Sequence, residues 1–148
     1  MFSSVVTVCT GNICRSPLAE YLFRSRLEGV SAKVSSAGIQ ALVNQPADGL
    51  AQEIAQTHGL DLSPHLGRQV EKSVLEEHEL VLVMEDHHRD YIRSRFPQVS
   101  GKVFLLGKWE EEMQISDPYK KSPDFFKEVY SQIDRSVAHW VNRMNGAD

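Results

Sequence analysis

Short apolar runs alternate along the chain with segments in which apolar residues recur every three or four positions, the spacing of a helix face. The first run, Val5–Val8, carries no polar alternation, which is typical of a parallel strand covered on both faces. The helical spacing is clearest near the C-terminus, where one apolar stripe runs from Phe126 to Met144. The runs predict strands at Val5–Val8, Lys33–Ser35, Leu80–Met84 and Val103–Leu106.

Turn and cap residues set the predicted ends of the helices. Ser16 followed by Pro17 has the pattern of an N-cap and a proline in the first helical position, and Gly29 ends that helix. Gly59 and Pro97 end two later helices. The predicted helices are therefore one from Ser16 to Gly29 and three over 47–58, 86–96 and 123–144, with a loop from Ser36 to about Pro46.

Strands that alternate with helices predict an α/β fold. We expect residues 1–148 to form a single three-layer domain, with a small central parallel sheet of four strands in the order 2-1-3-4, flanked by helices. In such sheets, ligands bind beyond the carboxyl ends of the strands. This rule places the segment Cys9–Ser16 where a site is expected.

Charge and composition narrow the class of function. The net charge of −4 is a poor match for nucleic acid or an anionic membrane surface, so neither is expected as a partner. The N-terminal apolar run is too short for a signal peptide or a membrane span, which predicts a cytoplasmic protein without direct membrane insertion. The two cysteines, Cys9 and Cys14, are too few for a disulfide scaffold and indicate chemistry instead.

The segment Cys9–Ser16 carries the strongest chemical signal. A cysteine at a strand end is followed by five residues, then by Arg15 and a helix start. Consecutive loop N–H groups and a helix N-terminus form an anion site that fits phosphate and holds a cysteine as the thiolate. Arg15 supplies a fork of two donors, and Gly11 and Asn12 are expected to allow positive φ in the turn.

This signal has a structural alternative. A cysteine that closes a buried strand is more often an inert apolar residue, and cysteine followed by arginine at this spacing also arises by chance. The order strand, glycine-containing loop, helix favours catalysis. Asp117, before Pro118, is the candidate general acid, although an Asp-Pro pair is often only a turn.

Together these motifs resemble the low-molecular-weight protein-tyrosine phosphatase family, specifically its bacterial branch. The similarity extends over essentially the whole chain. It rests on the matching residues Val8–Pro17 with Ala19-Glu20, Ser35–Gly38, Gly59, His65, Arg68-Gln69, Met84 and Asp117-Pro118-Tyr119.

The resemblance implies a role for each matching residue. Cys9 would be the nucleophile that forms a phosphocysteine, Arg15 the phosphoryl-binding cation and Asp117 the general acid. Ser36 and His65 would support Asn12, and no metal or cofactor would be needed. The residues expected to contact the substrate are Thr10, Gly11, Asn12, Ile13, Cys14, Ser16, Leu42 and Tyr119.

Departures from the family's animal members indicate a subgroup. Lys120 follows Tyr119 where animal members carry a second tyrosine, and the loop 39–43 lacks their tryptophan. Ile13 stands where related arginine phosphatases carry threonine, which favours phosphotyrosine. The sequence is similar to members linked to exopolysaccharide or capsule production, so the expected partner is a phosphotyrosine protein such as a membrane tyrosine kinase with a tyrosine-rich tail. A monomer is expected.

Two further questions stay open at the level of sequence. Cys14 either packs or forms a reversible disulfide that protects an oxidised Cys9. The histidines, apart from His65, are expected at the surface, with His87 and His88 pointing apart and no metal site.

Two other functions are compatible with this kind of fold. A thiol-based arsenate reductase shares the cysteine-arginine loop but needs further cysteines, and none follows Cys14. A non-catalytic phosphate-binding or regulatory module would have no use for a general acid. The joint presence of Cys9, Arg15 and Asp117 therefore favours the enzyme.

Overall fold

A parallel sheet lies at the centre of the computed structural model, which describes residues 2–145. Its strands are β1 (Ser4–Cys9), β2 (Lys33–Gly38), β3 (Leu80–Val83) and β4 (Val103–Leu105). The order across the sheet is β2-β1-β3-β4, and all three pairings are parallel. The predicted fold class and strand order are confirmed.

The apolar runs form strands because both of their faces are covered. Every residue of β1 and β3 is buried. Successive side chains of a strand point to opposite faces, and the two faces belong to separate apolar clusters: Val5, Leu80 and Leu82 to one, and Val6, Val81 and Val83 to the other. The uninterrupted apolar pattern thus records a sheet between two layers of helices.

Five α-helices form the outer layers. They are α1 (Arg15–Arg26), α2 (Gly49–Thr57), α3 (Lys72–Glu76), α4 (Asp86–Arg95) and α5 (Pro123–Met144). The buried residues of α1, α2 and α5 join the first cluster, and those of α3 and α4 are divided from them by the sheet. Within residues 2–145, no helix combines the length and apolar character needed to cross a membrane.

The N-cap of helix α1 lies two residues earlier than predicted. Arg15 is its first residue, so Ser16 is not the N-cap, and Cys14 holds that position without a side-chain cap. Pro17 therefore lies in the first helical turn, where N–H groups have no partner inside the helix and a proline costs no hydrogen bond. The early start brings the Arg15 side chain to the N-terminal end of the helix.

Strand β2 is longer than predicted. It continues through Gly38, which pairs with Cys9, whereas the sequence placed 36–38 in a loop. The Gly38 N–H donates to the Arg68 carbonyl and its own carbonyl accepts from Val70, so the strand end is held from both sides. These partners are distant in sequence, which is why a local pattern did not show them.

Two short elements were missing from the prediction. Helix α3 spans five residues and a 3-10 helix covers Pro97–Lys102. Both are too short for a helical period to appear in the sequence. The boundaries of the other elements differ from the predicted ones by at most three residues, and α5 matches its predicted range.

Candidate active site

A cavity of about 200 Å³ opens where β1 ends and α1 begins. Cys9 and Arg15 lie deep in it, and each is 2% exposed. The lining residues come from three segments of the chain, 9–15, 40–42 and 117–119. The lining residues are Cys9, Thr10, Gly11, Ile13, Cys14, Arg15, Gln40, Leu42, Asp117 and Tyr119.

The backbone of the segment Cys9–Ser16 turns its carbonyl groups away from this cavity. The carbonyl oxygens of residues 9, 10, 11 and 13 accept hydrogen bonds from the N–H groups of Ile39, Gln40, Leu42 and Asp48. The remaining carbonyl in this run, that of Asn12, accepts from His65. Within residues 2–145, the N–H groups of residues 10–14 have no protein acceptor. Because these N–H groups follow one another in a loop that ends at a helix N-terminus, the arrangement can bind an anion.

Asn12 is the residue that takes the left-handed conformation, with φ of 58°. Its side-chain oxygen accepts from the Arg68 N–H at 2.8 Å, and its amide group donates to Ser16 Oγ at 2.7 Å and Ser36 Oγ at 3.0 Å. Gly11, which would permit positive φ, does not adopt it. Within this loop, the left-handed backbone conformation is thus confined to Asn12, and the hydrogen bonds of its side chain hold it in place.

The hydroxyl protons of this network can be assigned from its donors. Because Asn12 donates to both serines, the Ser36 hydroxyl is free to donate to Glu20 Oε1 at 2.6 Å. In the same way, the Ser16 hydroxyl is free to donate to Cys9 Sγ at 2.9 Å. A hydroxyl that donates to sulfur can stabilise the negative charge that the sulfur carries when it attacks or leaves phosphorus.

Glu20 is a buried carboxylate that the sequence analysis did not single out as a site residue. It is 6% exposed and also accepts from Arg24 at 2.6 Å. His65, placed behind the same loop, donates from Nε2 to the Asn12 carbonyl at 2.6 Å, and its Nδ1 lies 3.9 Å from Glu20. The clue in the sequence was the spacing: Glu20 follows Ser16 by four residues and so shares its helix face.

One nitrogen of the Arg15 guanidinium, Nη1, is hydrogen-bonded within the protein, and the edge formed by Nε and Nη2 is available to a ligand. Arg15 Nη1 donates to Glu85 and to the Ile115 carbonyl. Within residues 2–145, no hydrogen bond uses Nε or Nη2, and these two donors lie side by side on the guanidinium. This edge can hold two oxygens of a phosphoryl group.

Glu85 is a second site residue that the sequence analysis missed. Partial burial opposes its ionisation, but the hydrogen bond and charge of Arg15 outweigh it and lower the pKa of Glu85. The residue follows β3 almost directly, at the same sheet edge as Cys9. An acidic residue just after a buried strand was therefore the available signal.

Asp117 and Tyr119 close the mouth of the cavity. Asp117 Oδ2 lies 3.8 Å from Arg15 Nη2, and its Oδ1 accepts from the Tyr119 N–H at 3.0 Å. The Asp117 side chain is half exposed, so it can reach a leaving group at the rim. Tyr119 and Leu42 are 41% and 45% exposed and form two walls of the mouth.

Cys14 is a buried free thiol in the same segment. Burial, followed by the negative charges of Asp48 and Cys9, raises the pKa of Cys14, so it is not ionised at neutral pH. It is therefore a poor second nucleophile. The reversible disulfide with Cys9 stays a prediction.

The expectation that the histidines other than His65 lie at the surface is wrong for two of them. His78 is 2% exposed and His88 is fully buried. His87 and His88 do not point apart, since their ring centroids lie 4.1 Å from each other. Each buried ring has hydrogen-bond partners on both nitrogens, which explains how a polar side chain is accommodated there.

One group of side chains in residues 2–145 has the spacing of metal ligands. Glu85, His87 and His88 offer atoms within 4.8 Å of one another. However, His88 Nδ1 accepts from the Glu85 N–H and His88 Nε2 is bonded to Thr10, so neither nitrogen has a lone pair for a metal. Glu85 is also occupied by Arg15. The donor set does not fit a metal ion.

Known proteins with similar sequences and structures include several phosphatases. Residues 4–147 match the model of a family described as low molecular weight phosphotyrosine protein phosphatase. The chain is 44% identical over 144 residues to the low molecular weight protein-tyrosine-phosphatase Etp of Escherichia coli K12, covering 97% of this chain and 96% of that protein.

Solved structures agree with the sequence relatives. The tyrosine phosphatase Wzb from Escherichia coli K30, in complex with sulphate, aligns with a TM-score of 0.93 and 38% identity over 97% of this chain and 99% of that one. Vibrio vulnificus Wzb in complex with benzylphosphonate aligns with a TM-score of 0.92 and 33% identity, again over 97% of this chain and 99% of that one.

Proposed function

The chain belongs to the low molecular weight phosphotyrosine protein phosphatase family, and from this premise we propose that it hydrolyses phosphotyrosine in proteins through a phosphocysteine on Cys9. The observation that carries the proposal is that the carbonyls of residues 9–13 are all hydrogen-bonded elsewhere, whereas the N–H groups of residues 10–14, beside the cavity that contains the cysteine, have no protein acceptor within residues 2–145. An anion site built around a thiol, with an arginine edge and a carboxyl group at its rim, supports phosphoryl transfer to sulfur.

The first step transfers the phosphoryl group from oxygen to sulfur. The Cys9 thiolate attacks phosphorus, an S–P bond forms, and the bond from phosphorus to the tyrosine oxygen breaks. Asp117 gives its proton to the departing phenolate. The loop N–H groups and the free edge of Arg15 bind the phosphoryl oxygens, whose negative charge they stabilise.

The second step returns the enzyme to its starting state. Asp117, now a carboxylate, takes a proton from water as the water oxygen bonds to phosphorus and the S–P bond breaks. Inorganic phosphate leaves and Cys9 is again a thiolate. Ser16 stabilises the sulfur as a leaving group, since its hydroxyl lies 2.9 Å away with its proton free to donate.

The network behind the loop holds this geometry. Asn12 keeps the turn in its left-handed conformation, with Ser36, His65 and Glu20 as its support. These residues do not line the cavity and act through the loop. Thr10, Gly11, Ile13, Cys14 and Ser16 would shape the anion site around the phosphoryl group.

The walls of the cavity favour an aromatic phosphate. A nucleophile at the floor, with Leu42 and Tyr119 at the mouth, fits a flat ring that carries its phosphate at the far end. Ile13 adds an apolar contact near the phosphoryl group. Related arginine phosphatases carry threonine at this position. Phosphotyrosine is therefore preferred over phosphoarginine.

We also propose the partner at this stage. The similarity in sequence to members linked to exopolysaccharide production favours a tyrosine kinase with a tyrosine-rich tail as the substrate protein. A Cys9→Ser variant, which retains the anion site, should retain such a protein from a lysate of the source cells. Retention that survives excess inorganic phosphate would count against binding through the active site. The cytoplasmic location and the monomeric state stay predictions.

Hydrolysis of p-nitrophenyl phosphate tests the proposed activity. The protein should hydrolyse it in the presence of EDTA, since amide groups and Arg15 replace a metal ion, and vanadate should inhibit it. Cys9→Ser should abolish turnover. A wild-type protein that binds phosphate but hydrolyses neither this compound nor a phosphotyrosine peptide would support a binding module instead. Faster turnover of phosphoarginine than of phosphotyrosine would contradict the substrate assignment.

A further inference from the structure

His88 occupies a fully buried position in the first turn of α4, behind the anion site. Its Nδ1 accepts a hydrogen bond from the Glu85 N–H at 3.1 Å. A ring nitrogen that accepts carries no proton, so the proton of the neutral imidazole is on Nε2. Burial, together with the positive charges of Arg15 and His87, lowers the pKa of His88 to about 3, which keeps the ring neutral at pH 7.

The Nε2 proton has a single destination among residues 2–145. Nε2 lies 2.9 Å from the hydroxyl oxygen of Thr10, the first residue after Cys9. Since Nε2 is the donor, the Thr10 hydroxyl accepts this bond and keeps its own proton for another acceptor. Within the described part of the chain, no second partner of that hydroxyl is present. Thr10 lines the cavity that contains Cys9 and Arg15.

We propose that His88 directs the Thr10 hydroxyl proton into the anion site, where Thr10 donates to an oxygen of the phosphoryl group. Thr10 would then bind the substrate through its side chain as well as its backbone, and His88 would be a positioning residue that acts through Thr10. The inference rests on the proposed function for the identity of the anion as a phosphoryl group.

A purely structural role for His88 is separable from this one. The Nδ1 contact caps the start of α4, and its loss would destabilise the protein without involving Thr10. His88→Asn keeps an oxygen near the position of Nδ1 but is too short to reach Thr10. Thr10→Val removes the hydroxyl and preserves the shape, and Thr10→Ser preserves the hydroxyl.

Calorimetric titration with inorganic phosphate measures the effect without any need for turnover. Thr10→Val and His88→Asn should each weaken phosphate binding about 10-fold, the lower end for a hydrogen bond to a charged group. The double variant should be no weaker than Thr10→Val alone, and Thr10→Ser should recover most of the affinity that Thr10→Val loses. With p-nitrophenyl phosphate, kcat/KM should fall in the same proportion.

Thr57→Val is the matched control, because the Thr57 hydroxyl bonds to the Ile54 carbonyl on α2 and does not line this cavity. Losses in Thr10→Val and His88→Asn that multiply in the double variant would overturn the inference, as would unchanged phosphate binding in Thr10→Val. Thr10→Val and Thr10→Ser decide the matter if His88→Asn does not fold. If the wild type binds phosphate but hydrolyses nothing, the proposed function is contradicted, and the phosphate affinities of the variants alone support or overturn this inference. A wild type that binds no phosphate would overturn both.

Discussion

Asn12 donates to two serine hydroxyl groups, which in turn contact different acceptors. One amide hydrogen goes to Ser16, whose proton is then available to Cys9, and the other goes to Ser36, whose proton goes to Glu20. A single side chain thus fixes the backbone of the loop and the direction of two hydroxyl protons. Replacement by a residue with only one donor would free one of the two serines.

The role of Asp117 is tested by the leaving group. Asp117→Asn should slow turnover of a poor leaving group such as phenol by about 100-fold or more, because that oxygen departs only with a proton. A good leaving group such as p-nitrophenol should be affected much less. Steady-state kcat for a series of aryl phosphates measures the difference, and equal losses across the series would show that Asp117 is not the acid.

Gly38 is required by the close approach of the loop. A Cβ at this position would lie 2.4 Å from the Thr10 carbonyl oxygen and 3.0 Å from the Asn12 nitrogen. Gly38→Ala should therefore displace the loop, lower kcat/KM at least about 10-fold and cost about 1–3 kcal/mol of stability. Gly49→Ala is the control, since its Cβ would meet nothing within 4 Å. Wild-type kinetics in Gly38→Ala would show that the loop tolerates the shift.

Among the elements, the junction between β3 and α4 holds the segment that carries Asp117 beside the anion site. The Ile115 N–H donates to the Met84 carbonyl, and the Ile115 carbonyl accepts from Arg15. Gln114 exchanges two hydrogen bonds with Asp86 at the start of α4. The segment that carries Asp117 is thus anchored two residues before the acid, which places it at the rim although the side chain itself is half exposed.

Two buried histidines, His78 and His88, predict a dependence of stability on pH. Burial lowers the pKa of His78 and brings that of His88 from 6.5 to about 3, so both stay neutral in the folded state while the unfolded chain takes up protons below about pH 6.5. The free energy of unfolding should therefore fall as the pH drops below about 6.5, by about 1.4 kcal/mol per pH unit for His88 alone.

Urea unfolding at about pH 7.5 and about pH 5 measures this fall. The carboxyl groups whose pKa is lowered, such as Glu85, contribute only at lower pH, because their unfolded value is 4.5. His88→Asn should be less stable at neutral pH and lose less between the two conditions. An unchanged difference in that variant would contradict the assignment to His88.

At the scale of the whole molecule, α5 belongs to the helix layer on one face of the sheet, and Trp140 is the largest of its buried side chains. Trp140 is 3% exposed and its Nε1 donates to the Leu106 carbonyl at 2.8 Å. Trp140→Ala should cost about 3–5 kcal/mol. Phe125→Ala, on the exposed side of the same helix, should cost less than about 1 kcal/mol. Denaturant unfolding compares the two, and equal costs would show that α5 does not carry this part of the core.

The sequence predicted the strands and helices better than the contacts between residues on different elements. Uninterrupted apolar runs and a long amphipathic stripe identify buried strands and α5, because burial dictates residue type at each position. The functional loop was recognisable because its residues are contiguous. Glu20, Glu85 and His88 were not assigned, since each acts through a partner on another element, and only the fold brings Glu85 to Arg15 or His88 to Thr10.

The central claim is that phosphate passes through the sulfur of Cys9. Asp117→Asn, which should also slow hydrolysis of the intermediate, can be mixed with a phosphotyrosine peptide, quenched during turnover and examined by mass spectrometry and phosphorus NMR. We predict one phosphoryl group bonded to Cys9, and none in Cys9→Ala treated in the same way. Turnover by the wild type with no phosphorylated residue in the quenched protein, or with phosphate on another residue, would contradict the account.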